Sequence, residues 1–343
     1  MRIASLSLLV ALAGCGGAEA PTFSAEERAA LPSLVYESDA SGTRGAYRLD
    51  LATGESTRLS GPDQDEVPLA VSPDGTGLVI GRAVGEGEHA LEQLVLLDGD
   101  SLRTLTPPTR RARNPAWSED GRWITFESDL ASTSDLFRIA RDGGEVERLT
   151  DNPEGNYEPH AAPGGAVLFV SSRDMNAETY RMQADGSGQT RLPGSPRDEW
   201  APRLSPDGQR LVLLTRERGI DELILARPDG LDRQRLGATR ETAGAEEVLE
   251  TSPVWHPDGR RLAYVTLARS GARTVWVVDV ETREHRRLAE GWDPAWSPDG
   301  SALAFVSDRH GSPDLFLLRA DGTGLTRLTS SPGVETRPLW LPL

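Results

Sequence analysis

The chain has 343 residues, of which 53 are acidic and 37 are basic, so its formal net charge at pH 7 is −16. It contains no lysine, which excludes a Schiff-base lysine and a P-loop lysine. A body with this charge repels nucleic acid and anionic lipid headgroups, so we expect no nucleic-acid binding and a preference for basic partners.

The first predicted element is a lipoprotein signal peptide over residues 1–14. Ile3 to Val10 form an apolar run that is too short to cross a membrane, and Leu12-Ala13-Gly14-Cys15 follows it. These small residues ahead of a cysteine resemble the bacterial lipobox, which implies cleavage before Cys15 and lipidation of that residue. Cys15 is the only cysteine, so no intrachain disulfide competes for it. The alternative is an ordinary signal peptide in which the cysteine has no role.

Two further regions follow the signal peptide. Residues 15–32 hold the lipidated cysteine and a small, polar, acidic segment, which predicts a flexible tether. Residues 33–343 are predicted to form the folded body. The 35 glycines and 24 prolines suit many short strands joined by tight turns.

A unit of four short strands recurs through this body. Its clearest copy begins at Asp293-Pro294-Ala295-Trp296, continues through the turn Ser297-Pro298-Asp299-Gly300, and enters the apolar run Ala302 to Val306. Turns of the same form end at Gly75, Gly121, Gly165, Gly208, Gly259 and Gly300, in steps of 46, 44, 43, 51 and 41 residues. A period in the low forties with four strands per unit is typical of a β-propeller blade.

The two ends of the body are expected to share one blade. The strand at Leu34 to Ser38 has no inner strand before it, whereas Arg337 to Leu341 reads as an inner strand with no outer strands after it. The apolar wedge positions of the inner strands are Val71, Trp117, Ala161, Leu204, Trp255, Trp296 and Trp340. The predicted fold is therefore an all-β, seven-bladed β-propeller of four-stranded blades, closed by a C-terminal strand at about residues 336–342, with no open sheet edge.

The repeated unit resembles the TolB-type (WD40-like) propeller repeat. Residues 293–329 carry its pattern almost throughout, including Ser307-Asp308-Arg309 and Arg327-Leu328-Thr329, and residues 115–150 match nearly as well. The resemblance implies a propeller that binds other envelope proteins. TolB proteins have a separate N-terminal domain, whereas here only a tether is expected before the propeller. Serine peptidases of the dipeptidyl-peptidase kind carry the same repeat, but no Gly-x-Ser-x-Gly motif occurs in this chain.

Two polar residues are candidates for a site in the central channel. His160 and Arg203 each stand one position before a wedge residue, on neighbouring blades, so strand alternation turns both toward the channel. They form a candidate ligand site. The alternative is that both are hydrated polar groups with no ligand.

Carboxylates in the loops that enter the inner strands are candidates for a partner-binding channel mouth. They are Asp65, Glu66, Glu158, Asp198, Glu199, Glu250, Asp293 and Glu335. Arg110, Arg111 and Arg113 interrupt this ring at the third blade. Converging carboxylates can hold Ca²⁺ or attract a basic peptide. The alternative is that these side chains only solvate the loops.

The sequence therefore predicts a lipid-anchored, extracytoplasmic propeller that binds another protein, basic or associated with peptidoglycan, and has no catalytic residues. We expect no cofactor, with Ca²⁺ as the one candidate, and a monomer. Gly16 follows the cysteine where an aspartate would indicate retention in the inner membrane, so the periplasmic face of the outer membrane is favoured. The alternative function is a small-ligand or metal-dependent hydrolase or lyase that uses the channel mouth.

Overall fold

A computed structural model describes residues 21–85, 90–194, 196–217, 220–238, 247–249, 253–268 and 270–342. Twenty-nine strands in this part of the chain form seven antiparallel sheets, which follow one another around a central channel as seven blades. The prediction of a seven-bladed propeller is confirmed.

The blades are numbered from the N-terminus, and their strands have the following bounds. Blade 1 contains β1 (Leu34–Ser38), β2 (Gly45–Leu49), β3 (Ser56–Arg58) and the C-terminal β29 (Glu335–Trp340). Blade 2 contains β4 (Glu66–Val71), β5 (Gly77–Val84), β6 (Leu91–Asp98) and β7 (Ser101–Thr104). Blade 3 contains β8 (Ala112–Trp117), β9 (Trp123–Ser128), β10 (Asp135–Ala140) and β11 (Glu147–Arg148). Blade 4 contains β12 (Asn156–Ala162), β13 (Ala166–Ser171), β14 (Glu178–Gln183) and β15 (Thr190–Arg191).

The remaining three blades follow in the same order. Blade 5 contains β16 (Glu199–Leu204), β17 (Leu211–Glu217), β18 (Ile220–Ala226) and β19 (Gln234–Ala238). Blade 6 contains β20 (Glu247–Leu249), β21 (Val254–Trp255), β22 (Arg261–Ala268), β23 (Arg273–Asp279) and β24 (His285–Glu290). Both β20 and β21 pair with β22, so two short segments provide its inner strand. Blade 7 contains β25 (Trp292–Trp296), β26 (Ala302–Ser307), β27 (Asp314–Arg319) and β28 (Thr326–Arg327).

The C-terminal strand closes the ring as predicted. β29 pairs antiparallel with β1, with Leu34 opposite Trp340 and Ser38 opposite Glu335. The indole N–H of Trp340 also donates to the carbonyl of Ala295 in blade 7, at 2.9 Å. β29 therefore joins the first blade to the last, and blade 1 has no open inner edge.

Repeated local contacts explain why each unit folds alike. In the turn after the inner strand, the serine hydroxyl donates to the aspartate two residues later, as in Ser297 to Asp299 at 2.6 Å, and it accepts from the first residue of the next strand. Wedge tryptophans bridge the blades, since Trp117 and Trp255 donate to inner-strand carbonyls of the preceding blade. The second strands supply fully buried aromatic side chains, among them Phe126 and Phe305.

Residues 21–32, which the sequence assigned to the flexible tether, contain a short helix docked on blade 7. Helix α1 (Ala25–Ala29) begins with a capping box between Ser24 and Glu27. The Phe23 side chain is 9 % exposed and packs into the apolar cluster between blades 1 and 7. Arg319 stacks over the Phe23 ring and pairs with Glu27 at 2.9 Å. The folded body therefore begins before residue 33.

We expect Phe23→Ala to lower the stability of the propeller. Burial of a phenylalanine side chain contributes about 1.5–3 kcal/mol, and Phe23→Ala loses most of this contribution. Phe23→Leu should retain much of the packing. Chemical denaturation of both variants beside the parent measures the difference. Equal unfolding midpoints for all three proteins would show that this segment does not contribute to stability.

Candidate functional site

The structure places His160 and Arg203 together in the wall of the central channel. His160 lies on β12 and Arg203 on β16, and both side chains line two adjoining cavities of about 610 and 570 Å³. The larger cavity extends toward the turns that follow the inner strands, such as Ser205-Pro206, and the smaller one extends toward Glu158 and Asn114. The predicted orientation of both residues agrees with this geometry.

The surroundings of this pair change its electrostatics. Burial, together with the positive charge of Arg203, lowers the pKa of His160 to about 3, so the imidazole is neutral at physiological pH. Burial also lowers the pKa of Arg203, while Glu158 opposes that change. The guanidinium of Arg203 donates to the carbonyl of Pro202 at 2.9 Å. Within the described residues we find no carboxylate in ion-pair contact with Arg203.

A bulge that the sequence did not predict shapes the inner strands. The residue before the inner-strand proline has positive φ in five blades: Asn114, Glu158, Ala201, Asp293 and Arg337, with φ between 48° and 56°. Strand pairing shifts register at the same points. Non-glycine residues rarely adopt this conformation, and such strain concentrates at functional sites. The side chains of Asn114, Glu158 and Arg337 line the 570 Å³ cavity.

The predicted ring of carboxylates is only partly exposed. Glu66, Glu199 and Glu335 are 0, 0 and 2 % exposed and lie at the seams between blades. Glu66 pairs with Arg82 at 2.6 Å and Glu199 with Arg233 at 2.5 Å. The expectation that these three residues surround an open mouth is therefore wrong, because each begins an inner strand and points into the protein.

The other members of that ring have separate positions. Asp65 is half-buried and pairs with Arg44, and Glu158 accepts a hydrogen bond from the backbone N–H of Ala201. Asp198 accepts from the backbone N–H of Ala177 at 3.0 Å, and Asp293 is half-buried on β25. Glu250 and Cys15 lie outside the described residues. Among those that the structure does describe, no group of three or more His, Cys, Asp or Glu residues has an arrangement that could hold a metal ion.

The first residue of the inner strand, which lies at the seam between two blades, differs from blade to blade. In blade 4 it is Asn156, whose amide donates to Asp135 at 2.8 Å. The backbone N–H of Asn156 donates to the carbonyl of Ser134, and the backbone N–H of Glu335 donates to the carbonyl of Pro313. Glu335 therefore occupies the equivalent position in blade 1 and lies beside Asp314.

Burial raises the pKa of Glu335, and the charge of Asp314 raises it further. One oxygen of each carboxylate, Asp314 Oδ1 and Glu335 Oε2, is buried without a hydrogen-bond partner in the described part of the protein. The raised pKa and the unpartnered oxygens favour a protonated Glu335 at this position.

Exposed arginines, rather than a ring of carboxylates, mark the mouth over blades 1 to 3. Arg44, Arg113 and Arg337 line a recess of about 470 Å³, with 50, 52 and 54 % of their side chains exposed. Arg113 makes a forked contact with Glu92 at 2.7 and 2.8 Å. Arg44 pairs with Asp65, and Arg337 pairs with Glu37 at 3.0 Å.

Sequence reasoning identified Arg113 as an interruption of an acidic ring, and it missed Arg44, Arg337 and their partners. A signal for Arg337 was present, since it precedes the inner-strand proline as Asp293 does. No sequence signal marked Glu92 as the partner of Arg113, because the two are 21 residues apart in different blades.

This chain is similar to known proteins in sequence and in fold. The chain matches the TolB beta propeller domain over residues 70–245 and 237–342. It is 29% identical over 130 residues to the Tol-Pal system protein TolB of Anaeromyxobacter dehalogenans, a match that covers 37% of this chain and 28% of that protein. The chain spans less than half the length of the curated relatives it matches.

Two solved structures share the fold. TolB from Acinetobacter baumannii has a TM-score of 0.57 at 19% identity, over 88% of this chain and 79% of that chain. The periplasmic gluconolactonase of Pseudomonas aeruginosa has a TM-score of 0.63 at 15% identity, over 91% of this chain and 99% of that chain. At these identities the likeness concerns the fold alone. None of the described helices is long and apolar enough to cross a membrane. The family match covers most of the sequence, so the chain belongs to the TolB β-propeller family.

Proposed function

We propose that this chain is an extracytoplasmic, lipid-anchored propeller that binds another protein of the cell envelope at its channel mouth and catalyses no reaction itself. The observation that carries the proposal is the recess lined by Arg44, Arg113 and Arg337. Arginine is enriched in protein interfaces and at their energetically dominant positions. A carboxylate holds each of these three side chains in place, which reduces the entropy lost on binding.

The charges of this chain favour a partner that is basic overall and has acidic groups at the contact surface. The net charge of −16 attracts a basic protein at long range. At contact, the exposed guanidinium groups favour carboxylates or carbonyls of the partner, which they can bind through two parallel hydrogen bonds. A named TolB relative belongs to the Tol-Pal system, which supports a protein partner for this chain.

Replacing Arg44, Arg113 and Arg337 together with glutamine should weaken capture of the partner by about tenfold or more, the size of effect seen when interface hot spots are removed. The measurement is affinity capture from envelope extract on the immobilised chain, at two ionic strengths, with the captured proteins identified and quantified. Added salt should weaken capture by the parent, because exposed charges are screened within about 8–10 Å.

A matched control comes from three other exposed arginines. Arg122, Arg227 and Arg287 are 78, 58 and 52 % exposed, and each also pairs with a carboxylate. Their triple glutamine variant should capture the partner as the parent does. Equal loss in both triple variants, or in neither, would contradict a partner site at the mouth.

The alternative is a small-ligand or metal-dependent hydrolase or lyase, since the fold is shared with a gluconolactonase. Metal analysis of the purified chain separates the two functions when it is combined with the capture experiment. Stoichiometric bound metal, together with capture that the arginine variant leaves unchanged, would favour the enzyme.

The proposed anchor makes a separate prediction. Cys15→Ser should move the protein from the membrane to the soluble envelope fraction or leave it unprocessed, because the acylated residue is lost. Membrane fractionation and intact mass check this, with Gly17→Ala as a control that keeps the cysteine. A variant with the fractionation and mass of the parent would show that Cys15 carries no lipid.

A further inference from the structure

The middle of the channel offers cationic and donor groups that the proposed partner site does not use. His160 and Arg203 line both the 610 Å³ and the 570 Å³ cavities, so they lie where the two cavities meet. Arg203 can donate five hydrogen bonds, and its one hydrogen bond within the described residues goes to Pro202. Its remaining N–H groups are available to a ligand in the channel.

The other polar groups of the larger cavity are already engaged. Glu119 accepts from the backbone N–H of Gly164 at 3.1 Å, and the hydroxyl of Ser205 donates to Asp207 at 2.5 Å. His160 is neutral at physiological pH because burial and Arg203 lower its pKa to about 3. A neutral imidazole offers one N–H donor beside the guanidinium without adding a second positive charge.

The walls around this pair are apolar and include aromatic rings. Trp117 and Trp255 line the larger cavity, together with Leu204, Val254 and several prolines. Pockets that combine apolar walls with a few placed polar groups are typical sites for small molecules.

We propose that the 610 Å³ cavity binds a small carboxylic acid with a ring-shaped or apolar body, whose carboxylate is held by Arg203 and by the ring N–H of His160. An arginine can form two parallel hydrogen bonds with a carboxylate. This cavity extends toward the face opposite the arginine-lined mouth, so the inference does not depend on the proposed partner site.

Matched probes test the charge and the apolar body separately. Calorimetric titration of the purified full chain uses benzoate, its neutral analogue benzamide, and acetate. Benzoate should bind saturably and at least about tenfold more tightly than benzamide, since a charged hydrogen bond is worth a factor of that order. Acetate should bind more weakly than benzoate, because it cannot contact the tryptophan and proline walls.

Variants locate the site. Arg203→Gln should weaken benzoate binding by about tenfold or more, while Arg122→Gln, at an exposed arginine on the same chain, should leave it unchanged. Protection of Arg203 from phenylglyoxal by benzoate but not by benzamide, mapped by mass spectrometry, gives a second readout on the unmutated protein.

Three results would overturn the proposal. The first is no saturable binding of benzoate up to about 10 mM, a concentration that corresponds to a negligible affinity. The second is equal affinity for benzoate and benzamide. The third is that benzoate does not protect Arg203 from phenylglyoxal. Any of them would show that Arg203 and His160 do not hold a carboxylate in this cavity.

Discussion

Deleting residues 335–343 should cost this protein a large part of its stability and make it aggregate. The deletion removes β29, which pairs with β1 along its length, and it removes the indole that bridges to Ala295. Trp340 is partly buried against the apolar cluster between blades 1 and 7. Truncating a fully buried tryptophan costs about 3–5 kcal/mol, against a total of about 5–15 kcal/mol for a domain. The deletion also exposes the unpaired edge of β1, and open strand edges promote association.

Thermal unfolding and light scattering measure both effects. We expect the melting temperature to fall by about 10 °C or more. Removal of residues 16–20 is the control, because it leaves Phe23 and its contacts with blade 7 intact. A C-terminal deletion that melts like the parent would show that the two ends of the chain do not hold one blade together.

The seam between blades 7 and 1 should weaken as pH rises, and Glu335→Gln should remove this effect. Burial and Asp314 raise the pKa of Glu335 in the folded protein. The folded state therefore holds the proton more tightly than the unfolded state. The stabilisation is complete below the unfolded pKa of this residue and is lost as pH rises through its folded pKa.

A glutamine at position 335 offers Asp314 an amide donor, as Asn156 offers one to Asp135. Satisfying a buried acceptor is worth about 1–3 kcal/mol, so we expect the variant to be more stable than the parent at pH 8. At acidic pH, where the parent already holds the proton, the two should unfold alike. Chemical denaturation of the parent and the variant at pH 4.5, 6 and 8 measures the difference. These pH values begin near the ordinary pKa of a glutamate and rise above it.

Glu66 provides a control with the opposite sign. It occupies the same seam position in blade 2, but the residue opposite is Gly45, and its carboxylate pairs with Arg82 at 2.6 Å. Glu66→Gln should therefore destabilise the protein, because Arg82, whose side chain is only 16 % exposed, loses its partner. Destabilisation of similar size in both glutamine variants at pH 8 would show that Glu335 is charged and stabilising.

The architecture could be predicted from the sequence because it repeats. Six turns of one form fixed the period, and the position of Trp340, 44 residues after Trp296, indicated that the last strand completes the first blade. Strand alternation also placed His160 and Arg203 in the channel, because each is next to a wedge residue and no bulge separates them from it.

The mouth could not be predicted in the same way. A bulge before the inner-strand proline inserts an extra residue, which shifts the side-chain alternation on the far side of it. Glu199 lies beyond this bulge and begins β16, whereas the sequence assigned it to the loop before that strand, so its predicted exposure was wrong. The arginines and carboxylates of the recess come from different blades, and the ring arrangement that brings Arg337 near Arg113 appears only in three dimensions.

Photo-crosslinking in living cells tests the partner-binding mouth most directly. A photoreactive amino acid at Arg113 would report on the mouth, and the same amino acid at Arg122 would report on the opposite face of the same blade, after the turn that ends β8. We predict one discrete adduct with another envelope protein from position 113 and none from position 122. No adduct from position 113, or the same adducts from both positions, would contradict the proposed site.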